Sequence, residues 1–145
     1  MAMSERIEST NFGAITFKSE DVLEVPDGML GFSQLSRFLL IESEDFEPFR
    51  FLQSIDEPVI CFTLIDPLLV DEAYRLELTS EDQQKLGLDK PDQGLVYSVV
   101  TLAENPQGAT VNLYAPLVIN TLNMRGSQVI LFNSNYSVNQ PLMNS

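Results

Sequence analysis

The pattern that decides the fold is clearest in residues 49–65, which read FRFLQSIDEPVICFTLI. Two runs, Phe49–Ile55 and Val59–Ile65, are rich in β-branched and aromatic side chains, and a proline-containing stretch separates them. β-Branched and aromatic residues favour strands, whereas proline cannot donate a hydrogen bond to a strand ladder. The segment therefore predicts two short strands joined by a turn.

The same pattern recurs along most of the chain, with proline and glycine falling mainly between the apolar runs. Short strands at this spacing predict a mostly β protein, with a small, closed or nearly closed antiparallel β-barrel in a single domain over residues 1–145. Residues 139–145 are predicted to form a loose tail. The expected strands are Asn11–Phe17, Val22–Val25, Phe38–Glu42, Phe49–Ile55, Val59–Ile65, Leu95–Leu102, Thr110–Asn120 and Gln128–Phe132.

One segment carries helix signals, so the fold should also contain one or two short helices. Ser80 followed by Gln83 resembles a capping box, in which the hydroxyl accepts from an early backbone N–H and the amide reaches back. Glu81 and Asp82 fall in the first turn, where they complement the helix dipole, and Gly87 offers a stop. The helix spans about two turns, so its stability must come from packing.

The charge of the chain is large and unevenly placed. The 145 residues include 21 acidic and 8 basic side chains, giving a formal net charge of -13. All of the acids lie at or before Glu104, and Arg125 is the one charged residue after it. Nucleic-acid and anionic membrane binding both draw on lysine and arginine, so neither is expected here. A basic protein is the natural partner, unless the acids only keep the protein soluble.

The location of the protein is predicted from what its sequence lacks. No segment approaches the ~18 consecutive apolar residues of a membrane-spanning helix. Residues 1–10 are polar and charged, unlike a signal peptide. We therefore expect a cytoplasmic protein. Separately, we expect it to be a monomer when no partner is bound.

Catalytic chemistry has few candidate residues. The sequence contains no histidine, the most common general base and metal ligand, and Cys61 is its single cysteine. Catalytic triads of the serine–histidine or cysteine–histidine type are therefore impossible, and a structural zinc site cannot be built. Cys61 lies in an apolar run, where a buried and inert thiol is expected. We predict a protein that is not an enzyme and has no cofactor or metal.

An acidic cluster lies between two predicted strands. Glu42, Glu44, Asp45 and Glu47 could hold a hard cation through their carboxylate oxygens. Their spacing does not match a calcium loop, however, and the glycine that such a loop needs is missing. A solvated loop is the better interpretation.

Gln53 is the polar member of an otherwise apolar strand face, which alternation builds from Phe49, Phe51 and Ile55. One interpretation is a core amide that satisfies nearby backbone groups. The other is a recognition group at the edge of a binding pocket. The first is favoured.

Asn112 and Asn120 flank an apolar run that contains Pro116. Proline within a strand forces a break, an edge position or a bulge, which leaves backbone groups unpaired. The two asparagine side chains could satisfy those groups. Equally, an interrupted edge is a place where a partner segment could dock.

The loop over residues 26–32 places two glycines beside apolar residues that look exposed. It is either a packed surface loop or a hydrophobic contact loop, and the sequence favours neither.

Several short segments occur together in an order that one protein family shares. They are Pro26-Asp27-Gly28 with Leu30-Gly31-Phe32, Pro48-Phe49 with Phe51-Leu52-Gln53-Ser54 and Asp56, Asn112-Leu113, Ala115–Asn120, and Gly126 with Gln128-Val129-Ile130-Leu131. Each is weak alone, but in this order and in a chain of this length they are specific. From Phe12 to Leu142, the sequence resembles the flagellar assembly factor FliW.

The resemblance implies a small β-barrel-like fold and a regulatory binding role. Proteins of this family bind flagellin in the cytoplasm before its export. They also bind CsrA, the carbon storage regulator, a basic RNA-binding dimer that represses flagellin translation. The two partners compete, and the family member freed by flagellin secretion captures CsrA and releases the flagellin message. It acts on CsrA away from the RNA-binding surface, by an allosteric route.

The resemblance leads to a hypothesis of a two-part binding site. One part is an acidic surface that would steer and hold CsrA: Glu42, Glu44, Asp45 and Glu72. The other part would contact a helical segment of flagellin or CsrA through apolar and amide groups: Phe32, Gln53, Pro67, Tyr74, Asn112 and Asn120.

Two alternative functions remain open at the level of sequence. One is a carboxylate-based or metal-dependent hydrolase, because pairs of acids can run such chemistry, although any acidic protein offers such pairs. The other is a purely structural barrel with no regulatory role.

Overall fold

The computed structural model describes residues 4–90 and 93–142 of the chain. Most of its regular structure consists of short β-strands, as the sequence predicts. The strands are β1 (Glu5–Ser9), β2 (Gly13–Phe17), β3 (Leu23–Glu24), β4 (Arg37–Ile41), β5 (Arg50–Ser54), β6 (Cys61–Ile65), β7 (Leu95–Thr101), β8 (Thr110–Val111), β9 (Leu117–Asn120), β10 (Arg125–Gln128) and β11 (Gln140–Pro141).

Helical structure is limited to one α-helix and a few single turns among the described residues. The α-helix, α1, spans Ser80–Leu86. Short 3-10 turns lie at Ser19–Asp21, Glu44–Phe46, Pro67–Leu69 and Pro106–Gly108.

Seven strands close into a barrel. Neighbouring strands pair in the order β7-β6-β5-β4-β3-β10-β9, and β9 returns to pair with β7 through Leu95↔Ile119, Val96↔Val118 and Tyr97↔Leu117. All of these pairings are antiparallel except that of β3 with β10. The predicted mostly β, barrel-like fold is confirmed. Closure removes the open edges that an isolated sheet would expose.

Strand β9 of the barrel is buried on both faces. Leu117 and Ile119 belong to one cluster of buried side chains, whereas Val118 between them belongs to another. The second cluster packs beneath α1, which contributes Leu86. Burial on both faces explains why β9 reads as a continuous apolar run rather than as an alternating one.

A separate hairpin of β1 and β2 covers the outside of β4 and β5. Ile7 and Phe17 of the hairpin pack against Leu39 and Ile55 in a third cluster of buried side chains. The sequence pattern did not predict β1. The predicted strand Asn11–Phe17 corresponds to β2 and the turn before it. β1 has a single apolar side chain, Ile7, which lies between charged residues, and its other buried residue is the polar Ser9, so the strand carries no apolar alternation.

The predicted strand Thr110–Asn120 is broken into β8 and β9. Between them the chain bends, and the Asn112 Oδ1 accepts hydrogen bonds from the N–H groups of Tyr114 and Ala115, both at 3.0 Å. Pro116 follows this bend and is buried. The proline therefore breaks the strand, and the asparagine supplies the hydrogen bonds that the break removes from the ladder.

Two further boundaries differ from the prediction. β10 lies at Arg125–Gln128 rather than at Gln128–Phe132, although the chain remains extended to Leu131, whose N–H bonds to the carbonyl of Tyr114 at 2.9 Å. The N-cap of α1 is Thr79, whose hydroxyl accepts from the Asp82 N–H while the carboxylate of Asp82 accepts from the Thr79 N–H. The capping box thus begins one residue before the predicted Ser80.

The predicted loose tail is paired for part of its length. β11 pairs with β8 through Gln140↔Val111 and Pro141↔Thr110, and the N–H of Leu142 bonds to the carbonyl of Ala109 at 3.0 Å. Residues 143–145 of that prediction lie outside the described part of the chain.

Replacing Gly28 with alanine should destabilise the protein more than replacing Gly13. Both glycines have a φ of 71°, which costs an L-residue about 1–2 kcal/mol. A Cβ at Gly28 would also lie 2.5 Å from the carbonyl oxygen of Phe32, whereas one at Gly13 would meet nothing within 4 Å. We expect a total loss of about 2–4 kcal/mol for Gly28→Ala.

Denaturant unfolding of the two variants measures this difference, and Gly13→Ala is the matched control because it shares the backbone conformation. Equal losses would show that the loop around Gly28 relaxes freely and is not a fixed part of the barrel.

Candidate protein-binding surface

Acidic side chains gather where β4 ends and β5 begins. Glu42 directly follows β4, and the 3-10 turn Glu44–Phe46 comes next, with the Ser43 hydroxyl accepting from the N–H of Asp45 at 3.3 Å. Glu44 and Asp45 in this turn are both exposed. We call residues 42–47 the acidic turn.

Arg50, the first residue of β5, partly balances this charge. Its Nη1 lies 3.2 Å from Glu47 Oε2 and its Nε lies 3.6 Å from Glu42 Oε1. Within residues 4–90 and 93–142, neither Glu44 nor Asp45 forms an ion pair. Two of the four carboxylates in the acidic turn therefore remain available for an external cation or a basic side chain.

Tyr97 of β7 lies near the same group of charges. Burial raises the pKa of its phenol, and the negative charge of Glu42 raises it further, while Arg50 acts in the opposite direction. Both main causes favour the neutral form, so the phenol stays protonated at neutral pH and adds no charge to the acidic turn.

Three aromatic rings pack beside the acidic turn. Phe46 of the turn lies edge-to-face on Phe51 of β5, with 5.3 Å between ring centroids, and Phe12 of the β1–β2 hairpin contacts both rings. Phe46 keeps 45% of its surface exposed. An exposed ring beside free carboxylates can receive both the apolar stem and the charged head of an arginine or lysine.

The four predicted acidic residues are exposed, but they do not form one cluster. Glu42, Glu44 and Asp45 lie together in the acidic turn, whereas Glu72 lines a shallow depression with Leu68, Leu69 and Gln140. No hydrogen bond or ion pair among the described residues links Glu72 to the acidic turn.

Gln53 is a core amide, and its side chain is not available to a partner. It is 0% exposed, and its Oε1 accepts from the Ser9 hydroxyl at 2.7 Å. Its Nε2 donates to the carbonyls of Ser54 and Pro58, both at 2.9 Å, and Ile60 lies at 3.3 Å. The amide therefore ties the β1–β2 hairpin to the barrel, which is the favoured of the two interpretations of the sequence.

Pro67 and Tyr74 are also buried. Pro67 begins a 3-10 turn after β6. The Tyr74 hydroxyl donates to the carbonyl of Leu113 at 2.8 Å, and its ring stacks on that of Tyr136 at 4.6 Å. Burial raises the pKa of Tyr74, so it stays neutral. Both residues hold the segment between β6 and α1 on the barrel, and neither is presented to a partner.

The side chains of Asn112 and Asn120 form hydrogen bonds to main-chain groups. Asn112 satisfies the bend between β8 and β9 through its side-chain oxygen. Asn120 is 4% exposed, and its Nδ2 donates to the carbonyl of Leu86 at 2.8 Å, so that it caps the C-terminal end of α1. The structure therefore supports the structural interpretation of both.

Phe32 differs from the other predicted apolar contacts because it is only half-buried. Its ring packs edge-to-face on Phe62 at 5.4 Å between centroids. Leu30 beside it is 54% exposed, and its N–H donates to Gln128 Oε1 at 2.8 Å. The loop over residues 26–32 is thus both packed on the barrel and open at its tip.

Sequence reasoning missed the aromatic part of this surface. Phe46 sits among four acids in the sequence, an unusual place for a large apolar residue, and this was the available signal. The approach of Phe12 depends on where the hairpin folds back and has no local sequence signal.

Cys61, the single cysteine of the chain, is half-buried. Burial raises the pKa of the Cys61 thiol, which keeps it protonated and weakly nucleophilic. In the described part of the chain, no group of three or more acids and cysteines is placed to hold a metal ion. None of the described helices has the length and apolarity that a membrane span requires.

Taken together, the fold and this surface define a small β-barrel protein that presents exposed carboxylates beside an exposed aromatic ring. The family model described as FliW protein matches residues 6–142. A flagellar assembly factor FliW from Caldanaerobacter subterraneus subsp. tengcongensis is 37% identical over 138 residues, which cover 94% of this chain and 92% of that protein. One from Geobacter sulfurreducens is 35% identical, with 93% and 84% covered.

A solved structure agrees with these sequence matches. The crystal structure of the flagellar assembly factor FliW superposes with a TM-score of 0.90 at 30% identity, covering 97% of this chain and 99% of that one. The chain belongs to the FliW family, which confirms the resemblance seen in its sequence.

Substituting the buried amide tests its structural role. We expect Gln53→Leu to lower the free energy of unfolding by about 1–3 kcal/mol, because the Ser9 hydroxyl and the Ser54 carbonyl lose a buried partner. Gln84→Leu, on the exposed surface of α1, is the matched control and should change stability by no more than about 0.5 kcal/mol. Thermal or denaturant unfolding gives both values, and an unchanged stability of Gln53→Leu would contradict the role assigned to this amide.

Proposed function

We propose that this protein is a cytoplasmic regulator of flagellum assembly that binds flagellin and, alternately, CsrA. Capture of CsrA would relieve the repression of flagellin synthesis. Membership of the FliW family and the description of its relatives as flagellar assembly factors support the role in assembly. The two partners come from the resemblance of the sequence to that family. The free protein would be monomeric and would contact neither nucleic acid nor membrane.

The observation that carries the CsrA part of the proposal is the acidic turn. CsrA is basic, and the chain opposes it with a net charge of -13. Glu44 and Asp45 are exposed and unpaired among the described residues, so they can form ion pairs without first breaking internal ones. Complementary charge of this kind accelerates encounter and disfavours wrong partners.

Phe46 gives this surface a contact that does not depend on salt. Its exposed ring lies between carboxylates and is supported by Phe12 and Phe51. Aromatic residues are enriched among the side chains that contribute most to protein interfaces. We therefore assign CsrA binding to the acidic turn together with this ring.

For flagellin, the loop over residues 26–32 is the best supported of the predicted contacts. Leu30 and Phe32 expose apolar surface there, whereas Gln53, Pro67, Tyr74 and Asn120 are buried. An amphipathic helix can lay its apolar face on such a surface. Asn112 and Glu72 stay secondary candidates, since the first is half-buried and the second is exposed at a different site.

Reversing charge in the acidic turn should weaken CsrA binding. We expect Glu44→Lys with Asp45→Lys to raise the Kd by about tenfold at low salt, through loss of attraction worth roughly 0.5–1 kcal/mol at each position. The effect should shrink as salt rises, because exposed charges are screened. Calorimetric titration of purified CsrA at two salt concentrations measures both effects.

The control for this pair changes the total charge by the same amount elsewhere. Glu20→Lys with Glu81→Lys reverses two other exposed acids, which form no ion pair within the described residues. If the control pair weakened binding as much, the overall field of the protein would be responsible and the acidic turn would not be the contact.

The alternation between partners predicts linked affinities. If flagellin and CsrA exclude each other, a rising concentration of free flagellin must raise the apparent Kd for CsrA. The rise becomes proportional to that concentration once it exceeds the Kd for flagellin. Titration of CsrA into the protein at a series of fixed flagellin concentrations gives this relation. A stable ternary complex at saturating concentrations of both partners would rule out the proposed exclusion.

A further inference from the structure

The turn that follows β6 presents two neighbouring leucines to solvent. Leu68 is 52% exposed and Leu69 is 64% exposed. Both belong to the 3-10 turn Pro67–Leu69, whose first residue is buried. Contiguous exposed apolar surface points to an interaction site, whereas apolar residues exposed singly are ordinary. We call residues 67–72 the leucine turn.

Hydrogen bonds fix the backbone of the leucine turn. The N–H groups of four successive residues, from Leu68 to Asp71, all have acceptors. That of Leu68 bonds to the Asp66 carboxylate at 2.9 Å, and the other three bond to the carbonyls of Asp66 and Pro67 at 2.9 to 3.0 Å. Val70 in addition packs on the core. A partner that covers the two leucines therefore has little loop ordering to offset.

The charged side chains beside the two leucines are acidic. Asp71 and Glu72 line a shallow depression together with Leu68, Leu69, Val70 and Gln140. No lysine or arginine is among the lining residues that the structure describes. Within residues 4–90 and 93–142, neither Asp71 nor Glu72 forms an ion pair. The exposed leucines are thus bordered by carboxylates that have no counter-ion within the described chain.

The leucine turn also lies close to the acidic turn. Its N-cap residue is Asp66, which directly follows β6. Burial raises the pKa of Tyr97, and the negative charges of Glu42 and Asp66 raise it further. Both carboxylates therefore lie near the same phenol, and the negative field of the acidic turn continues to the leucine turn. Such a field favours a cationic partner.

We propose that the leucine turn binds a basic amphipathic polypeptide segment. Apolar side chains of the segment would cover Leu68 and Leu69, and its lysine or arginine side chains would meet Asp71 and Glu72. Covering the leucines removes water from the neighbouring carboxylates, which is costly unless they gain a cationic partner. The charge of the depression therefore selects a basic segment over a neutral or acidic one.

This contact goes beyond the function proposed above, which places a basic partner on the acidic turn, and it does not rest on that function. A partner held by Glu44 and Asp45 alone would leave Leu68 and Leu69 exposed. Failure of one site therefore does not imply failure of the other, and measurements that locate a bound segment distinguish the two.

The probe is a capped helical peptide of about 20 residues, with leucine on one face and lysine on the other. It is titrated into the full-length protein labelled for amide NMR. We expect saturable shifts at the amides of Leu68, Leu69, Asp71 and Glu72. The same peptide with alanine in place of leucine should bind about tenfold more weakly, because it buries less apolar surface. Equal binding of the two peptides, shifts confined to other parts of the barrel, or no shifts up to millimolar peptide would overturn the proposal.

Substitution of both leucines tests the apolar half of the contact. Leu68→Ser with Leu69→Ser should weaken binding of the leucine-containing peptide about tenfold. Leu102→Ser with Leu122→Ser is the matched control, since these leucines are 67% and 91% exposed outside the leucine turn. The control pair should leave the Kd within about twofold of its original value. Equal weakening by the two pairs would contradict a specific role of the leucine turn.

Neutralising the two acids tests the charged half and keeps the shape of the turn. In Asp71→Asn with Glu72→Gln, the side-chain oxygen at position 71 can still accept from the Ala73 N–H, which lies at 2.9 Å. We expect the Kd of the leucine-containing peptide to rise about threefold to tenfold at low salt, and less at high salt. Glu20→Gln with Glu81→Gln removes the same charge from exposed residues elsewhere and should have a smaller effect. An equal effect would assign the attraction to net charge and refute the proposed pairing.

Discussion

Closure of the barrel at β7 is the constraint on which the other features depend. One edge of this strand pairs with β6, while its other edge is shared by β8 at Val100 and Thr101 and by β9 at Leu95 to Tyr97. A single straight strand could not pair with both of these stretches of β7 and then reverse direction to pair with β10. The bend held by Asn112 resolves this, because it stops the ladder for a few residues and satisfies the freed N–H groups within the turn.

Closure also determines where binding can occur. A closed barrel leaves no long sheet edge, so recognition falls to the connections at its ends and to segments outside the ladder. The acidic turn is such a connection, and its carboxylates are free because Arg50 pairs with Glu42 and Glu47 rather than with Glu44 or Asp45. Beyond β10 the chain stays on the barrel, because the N–H groups of Val129 and Leu131 bond to the carbonyls of Pro116 and Tyr114.

The candidate site could be predicted from sequence only for its charged part. Acids are rarely buried unpaired, so their exposure follows from their chemistry. The exposure of uncharged polar residues does not follow from their chemistry in this way. Gln53, although a core amide was the favoured interpretation, and Asn120 could each have been a surface recognition group, and the position of the β1–β2 hairpin and of α1 over them decided the outcome. Phe46 was overlooked because one of its two supporting rings, Phe12, comes from a distant part of the chain.

The sequence by itself determined the strand-rich class, the existence of α1 and the absence of histidine chemistry, because local propensity and composition carry that information. Its ordered motifs also identified the family. The tertiary structure alone decided that Pro116 splits Thr110–Asn120 rather than placing it at an edge or in a bulge, that β1 folds over β5, and which polar side chains face inward. These outcomes depend on contacts between residues far apart in the chain, such as the hydrogen bond from Ser9 to Gln53, and no local pattern encodes them.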